Sequence, residues 1–490
     1  MIKNFTRIVF ALILAVIISG IIPVHANTPY LGYTYDHWGV LVPSPAAYVP
    51  FMSIRAADID PALGEFSNPM DMAIDKNGHI YILDTGNNRI VAFDRDFNLI
   101  RVIDSFTMPN GTTDTFNSPL GLFVTENLDV YVADTDNNRI VAIDANNVAI
   151  RIIEKPQGAV LPDNFTFIPQ KVLVGRGDIV YVIARHVFEG IMTFGLDGEF
   201  LGYFGTMDVL HDPFEIIWRF FMTAEQRSRQ RLFVPTEFLN MDIDDHGFIF
   251  TTNPDSDVAA SFVMRLNPRG DDVLRNFTDF PIRGDLNWRT EGPLSGPSHF
   301  VDIIARPFGM YSALDATRGR VYTYDAEGNL LYVFSGTGAI AGMTTNPVAL
   351  AALDENLLVL DSARGQILYF EPTRFGSLIN SAVRYNYLND EARAVEMWRE
   401  LLTLDENFPL AFAGVGRAYL AEGDYSRAAE YLSRGMDIRH YSIAFTRLRN
   451  SFLQATLPYV FTGGTALFAV FAVYKIIKGV LTLRKKWRRA

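Results

Sequence analysis

The chain of 490 residues contains no cysteine. That absence excludes disulfide staples, thiolate catalysis, Cys-x-x-Cys redox chemistry and cysteine-ligated zinc, so packing alone must hold the fold. Histidine is sparse: there are eight, with no His-Glu-x-x-His or other close spacing, so scattered surface histidines are expected rather than a metal cluster. Low-complexity tracts are missing, and 49% apolar with 20% charged residues is a globular composition. Acids are missing from both ends. Residues 1–26 carry Lys3 and Arg7, and residues 456–490 carry seven Lys and Arg, in neither case with an acid. The net charge of the whole chain is −12, so with basic ends the middle, 27–455, carries −21; an acidic body repels phosphate backbones, and no nucleic-acid partner is expected. Aromatics are plentiful at 13%, as suits a pleated sheet.

The two ends set an expected topology. A basic start, an apolar run from Ile8 to Ile22, and Val24 and Ala26 at the small-residue positions read as a signal peptide over 1–26, cleaved after Ala26, with an uncleaved anchor as the alternative. At the other end, residues 457–474 are apolar apart from Thr462 and Thr465, and Lys475 and Lys478 can snorkel. A transmembrane helix is expected over 456–483, with Gly463-Gly464 tolerated within it. The basic tail, 484–490, carries Trp487 and is cytoplasmic by the positive-inside rule, which puts the body outside the cell membrane. A buried soluble helix would leave that basic cluster unexplained.

Between the ends the chain repeats. Residues 66–94 superimpose on 116–144 at an offset of 50, both ending in Asp-x4-Arg-Ile-Val-Ala: Asp84 and Arg89 in the first copy, Asp134 and Arg139 in the second. Each unit alternates apolar positions between Asn, Asp and Gly turns, as an antiparallel meander needs. The frame Asp-x4-[Arg/Gln]-[Ile/Val]-x3-[Asp/Glu] returns at Asp315 with Arg320 and at Asp361 with Gln366, and weaker copies carry Ala184 and Asn253 in the Asp position. Six units result. Single meanders cannot bury both faces, so they must pack radially.

These residues resemble the NHL repeat family, whose members are six-bladed β-propellers. The resemblance spans 48–375, strongest in units one and two, and implies a mainly β fold. Residues 48–56 would supply the last blade's outer strand and close the ring, removing free sheet edges; residues 27–47 form an N-terminal segment before it. Two insertions interrupt the rhythm. Residues 207–231 read as an amphipathic helix with Phe214, Ile217, Trp218 and Phe221, and 271–298 as a loop; each either carries binding function or packs on the rim.

Residues 376–455 change to a helical period. Tyr385, Ala394 and Trp398 recur 34 residues later as Tyr419, Ala428 and Leu432, and Ala382 recurs as Gly416, with Asn389 where the second copy turns at Gly423. This resembles a tetratricopeptide (TPR) repeat pair, capped by a helix over 441–454 in which His440 closes the preceding helix. The resemblance implies peptide or protein binding, and a rigid stalk is the plain alternative.

The residue thirteen before each frame position should stand near the start of an inner strand: Asp71, Gly121, Lys171, Asn240, Asp302 and Val348. Asp71, Lys171, Asn240 and Asp302 are the candidate ligand-binding residues at the mouth of a central channel. Oxygen donors there suit calcium or a sugar, and invite comparison with propeller lactonases, but Lys171 opposes a metal and no general base stands apart. Neither a catalytic residue nor a metal ligand is assigned, and no cofactor is expected; a calcium or zinc ion belongs to the alternative of a lactonase-like hydrolase or lyase. The leading expectation is a membrane-anchored, extracytoplasmic binding or scaffold protein with a protein partner in the envelope, with a small molecule or glycan as a further ligand class.

Overall fold

The structure, a computed structural model, describes residues 28–156, 165–205, 237–253, 261–278 and 280–487. The leader at 1–26, the helix expected at 207–231 and residues 488–490 of the basic tail lie outside the described residues. The chain divides into two compact units, Met1–Asn380 and Ser381–Ala490.

The first unit is a six-bladed β-propeller. Blade one illustrates how the repeat folds: Asp71–Ile74, Ile80–Asp84, Arg89–Phe93 and Leu99–Ile103 form an antiparallel meander from the inside outward. Its turns are local chemistry. Asp75 accepts hydrogen bonds from the backbone N–H of Asn77 and His79, and Asn88 adopts the left-handed conformation (φ 53°) that asparagine tolerates. Blades two and three repeat the pattern, and blade four shows three strands among the described residues. The inner strand of each blade packs on the next, and the sixth packs on the first. Apolar side chains fill each gap: Tyr81 and Leu83 of blade one meet Leu122 and Val132 of blade two.

The strand Tyr48–Arg55 pairs antiparallel with Gln366–Pro372, so the start of the chain completes the last blade as expected. Arg306, buried beside it, donates to the hydroxyls of Tyr332 (2.8 Å) and Tyr48 (3.0 Å), and Asn380 bonds both hydroxyls in turn. The closing strand is thus held by polar contacts to two other segments as well as by its ladder.

The Asp frame is a buried fastener. Asp84, with no exposed surface, accepts the backbone N–H of Ser67 (2.7 Å), Asn87 Nδ2 (2.8 Å) and Arg89 Nε (2.7 Å). Asp134 repeats these bonds with Asn117, Asn137 and Arg139. Blade five departs from the pattern of blades one and two. Arg320 turns to Asp285 (2.8 Å), which also pairs with Arg318 (2.9 Å), while Arg318 lies 3.5 Å from Asp315. Asp285 comes from the insertion 271–298, which is a loop as expected and is built into the rim. The N-terminal segment joins it there. Tyr33–Tyr35 adds to the outer edge of blade five with Leu41–Pro43 beyond it, and the hydroxyls of Tyr33 and Tyr35 both bond Asp285. An otherwise free edge is covered.

Beyond the propeller run five helices: α1 (Arg374–Tyr387), α2 (Glu391–Leu404), α3 (Pro409–Glu422), α4 (Tyr425–Arg434) and α5 (Ile438–Trp487). Within the second unit α2 packs on α3, α3 on α4 and α4 on α5. The small residues are needed where helices cross: a Cβ on Gly414 would lie 2.5 Å from Trp398, and one on Gly416 would lie 2.7 Å from Leu432. The 34-residue repeat extends to polar detail. Asp390 caps α2 and Asp424 caps α4, while Arg393 lies over Tyr385 and Arg427 over Tyr419, each at 4.6 Å. Asn389 (φ 56°) takes the left-handed place of Gly423. Two corrections follow: His440 lies in the first turn of α5 rather than closing a helix, and the cap expected at 441–454 is continuous with the apolar stretch. One helix runs through both, long and apolar enough to cross a membrane, and none of its apolar window is buried.

Removing one partner of a buried, fully bonded pair strands the other. Asp84→Ala should lower unfolding free energy by about 3–5 kcal/mol, whereas Asp354→Ala, which breaks the exposed pair with Arg95, should cost about 0–1 kcal/mol. Urea midpoints of the detergent-solubilised full chain check the contrast, and equal losses would contradict the fastener role.

Candidate functional site

Around the propeller axis the inner strands bring the four expected residues into one polar network. Asp71 and Asn240 open their strands, and Lys171 and Asp302 each sit just after a register shift in theirs. The sixth position is corrected. Val348 falls in a register shift, and Ala349 pairs with Leu360 in the place that Asp71 takes opposite Leu83. The reason is the turn that follows: blade six returns over Asp354 and Glu355 alone, where blade one uses the longer turn from Asp75 to His79, so the frame count shortens.

Each acid reaches the next blade. Asp71 accepts the N–H of Met72 (3.0 Å) on one oxygen and the N–H of Leu122 in blade two (2.9 Å) on the other. Asp302 does the same with Ile303 (2.8 Å) and with Leu350 in blade six (2.5 Å). Asn240 donates to the carbonyl of Val301 (3.3 Å) and to Asp302 in blade five. Lys171 of blade three passes blade two to pair with Asp71 at 2.9 Å. Gly121 makes that passage: a Cβ there would stand 2.8 Å from the Lys171 Cα and 2.5 Å from the Gln170 carbonyl. No larger residue fits.

Sequence reading missed Asp242. It lies two residues after Asn240 on the same strand, hence on the same face, and its carboxylate accepts the N–H of Ala305 at 2.7 Å. That period-two step was the available signal. Burial pushes the Asp242 carboxyl up to about 6, and the nearby Asp244 and Asp71 charges add to the rise. Asp302 is pushed up to about 7, again chiefly by burial; Lys171 pulls it down and Asp71 raises it. Three carboxyls and one ammonium thus share one field, and two of the carboxyls take up protons near neutrality.

This arrangement binds blade to blade with most of its hydrogen-bonding capacity. Both oxygens of Asp302 and of Asp71 are engaged by the chain itself. Among the described residues no three His, Asp or Glu side chains form a group that could hold a metal ion. His79 bonds Asp75 within its own turn and His440 bonds Asp437, so neither belongs to the axial network.

A family model described as the NHL repeat matches residues 66–93 and 116–143, the first two blades. No curated protein matches the chain. Among solved structures, a virginiamycin B lyase from Staphylococcus aureus is 10% identical, covering 66% of this chain and 99% of its own at a TM-score of 0.41. A streptogramin B lyase is 10% identical, with 70% and 86% covered and a TM-score of 0.37. A gluconolactonase from Xanthomonas campestris is 12% identical, with 61% and 83% covered and a TM-score of 0.36. Likeness at this level carries no argument about activity.

The raised carboxyls have a signed consequence. A carboxyl of about 7 in the folded chain and about 3.9 unfolded binds more protons when folded. Its contribution is therefore fully present below pH ~4 and is lost as pH rises to ~7. Stability should fall over that window, and Asp302→Asn should flatten the fall. Lys171→Met, which removes the charge holding Asp302 down, should carry the fall above pH 7. Urea midpoints at half-unit pH steps measure both; parallel profiles for all three proteins would refute the assignment.

Proposed function

We propose that this NHL-repeat propeller is a membrane-anchored binding or scaffold protein, held on the extracytoplasmic side by α5 with its C-terminal end in the cytoplasm. The observation that carries this reading is the engagement of Asp71, Asn240 and Asp302 by neighbouring blades, which makes the axial ring a fastener before it is a reaction centre. The leader-like composition of 1–26 and the basic cluster from Arg484 support export and orientation. The helical hairpins repeat at the TPR length of 34 residues and offer a second surface for a protein partner in the envelope. Exposed loops on a rigid ring suit recognition of a protein, small molecule or glycan.

A second reading keeps the ring as a site. The raised carboxyls of Asp242 and of Asp302, the latter in the field of Lys171, favour a lactonase-like hydrolase or lyase with calcium or zinc, in which Asp71, Asn240 and Asp302 turn oxygens to the ligand. One preparation separates the two. The full chain, purified in mild detergent, is assayed for bound calcium and zinc and for lactone hydrolysis, and the same tagged protein is used to capture envelope proteins from membranes. The scaffold reading expects metal-free protein, no turnover and a stoichiometric partner. Stoichiometric metal that disappears in Asp302→Asn together with turnover would replace it by the enzyme.

A further inference from the structure

We propose that two copies of this chain pair in parallel along one face of α5, from its water-exposed start through the membrane. The proposal rests on α5 being the membrane anchor. At 50 residues and 1.5 Å per residue the helix is about 75 Å long, against a hydrocarbon layer of about 30 Å. Much of it therefore stands in water, where lipid cannot cover an apolar stripe.

Such a stripe is present. From Phe445 the steps alternate three and four: Phe445, Leu448, Phe452 and Ala455. Between these positions, up to Thr456, every residue but Leu453 is polar or charged. Phe445 is 48% and Phe452 64% exposed and Leu448 is half-buried, so the described helices of the second unit leave most of this face open. A spacing that averages 3.5 residues is that of a left-handed helix pair.

The same alternation enters the apolar stretch without a break, through Tyr459, Thr462, Ala466, Ala469, Val473 and Ile476 to Leu483. Here it meets the small residues that let membrane helices approach closely. The bulk lies elsewhere on the wheel: Phe461, Leu467, Phe468 and Phe471 are all off this face. No cation of α5 occupies a seam position: Arg439, Arg447, Lys475 and Lys478 lie away from it, and Arg449 and Arg484 flank it. The helix has no acid, so a second copy must keep like charges out of the seam, and a parallel copy in register does so because every seam position from Phe445 to Leu483 is uncharged. One period, one charge-free face and one open aromatic stripe fit a second copy. The threonine hydroxyls on and beside the seam do not obstruct pairing, since Thr462 and Thr465 already donate to the carbonyls of Pro458 and Phe461 within the helix.

The absence of cysteine gives a clean background for the test. Single substitutions Phe452→Cys, Ala455→Cys and Ala466→Cys place a thiol on the seam, and Leu453→Cys, Gln454→Cys and Phe468→Cys place one off it. Each full-length variant is oxidised with copper phenanthroline in native membranes, and the same membranes are washed with alkaline carbonate. The expected result is a disulfide-linked dimer at the seam positions at least tenfold above the off-seam positions, in carbonate-resistant membranes. Seam positions that link no better than their neighbours, in protein that stays with the membrane, would overturn the pairing and leave the anchor standing. Release of the chain by carbonate would overturn the anchor reading, and the pairing with it.

Discussion

The propeller depends on a closed ring whose last blade is completed by Tyr48–Arg55, from the beginning of the propeller sequence. Each meander is apolar on both faces, so it is stable only when a neighbour lies on each side. Closure supplies the missing neighbours for blades one and six together: Ile54 and Leu360 pack in one cluster with Ile82 and Val91. It also joins segments some three hundred residues apart, so that no blade can leave without opening the seam. The polar knot of Arg306, Tyr48, Tyr332 and Asn380 sits at that seam and turns a sheet edge into an internal joint.

The same logic accounts for buried charge. A carboxylate in the interior is costly unless its oxygens are filled, and every axial acid fills them with N–H groups at the start of the next blade. Those N–H groups need acceptors because inner strands have no further ladder partner on the axial side. Blade and side chain thus satisfy each other, and burial at the axis, with the neighbouring charges as a lesser influence, holds Asp242 and Asp302 near the point of protonation. A ring built for assembly acquires groups that titrate near neutrality without any demand from catalysis.

The blades were legible because their signals are local: the Asp75 and Asn88 turns and the Asp84–Arg89 spacing lie within one unit. The closing strand followed from counting strands. What escaped was long-range or a matter of count. Asp285, from a loop without pattern, took Arg320 away from its frame partner, and nothing near either residue announces the pair. A two-residue turn displaced Val348 by one position, enough to turn its side chain to the other face. The four axial residues were placed together by their spacing, whereas their engagement with the next blade's backbone depends on how sheets stack, which spacing does not contain.

The continuity of α5 has a mechanical meaning that neither half has alone. A break between the water-exposed turns and the apolar stretch would let each rotate independently, and the only proline inside the helix, Pro458, stands at that boundary. It does not break the helix. Proline removes the backbone donor that the Gln454 carbonyl would accept, yet the helical run persists to Trp487. The phase of Phe452 therefore fixes the phase of Ala466 and Ala469. On the membrane-anchored reading proposed above, the turns that pack on α4 and the apolar stretch share one continuous helix, so the orientation of one sets that of the other. A stiff connection of this kind transmits orientation, which a flexible tether would discard.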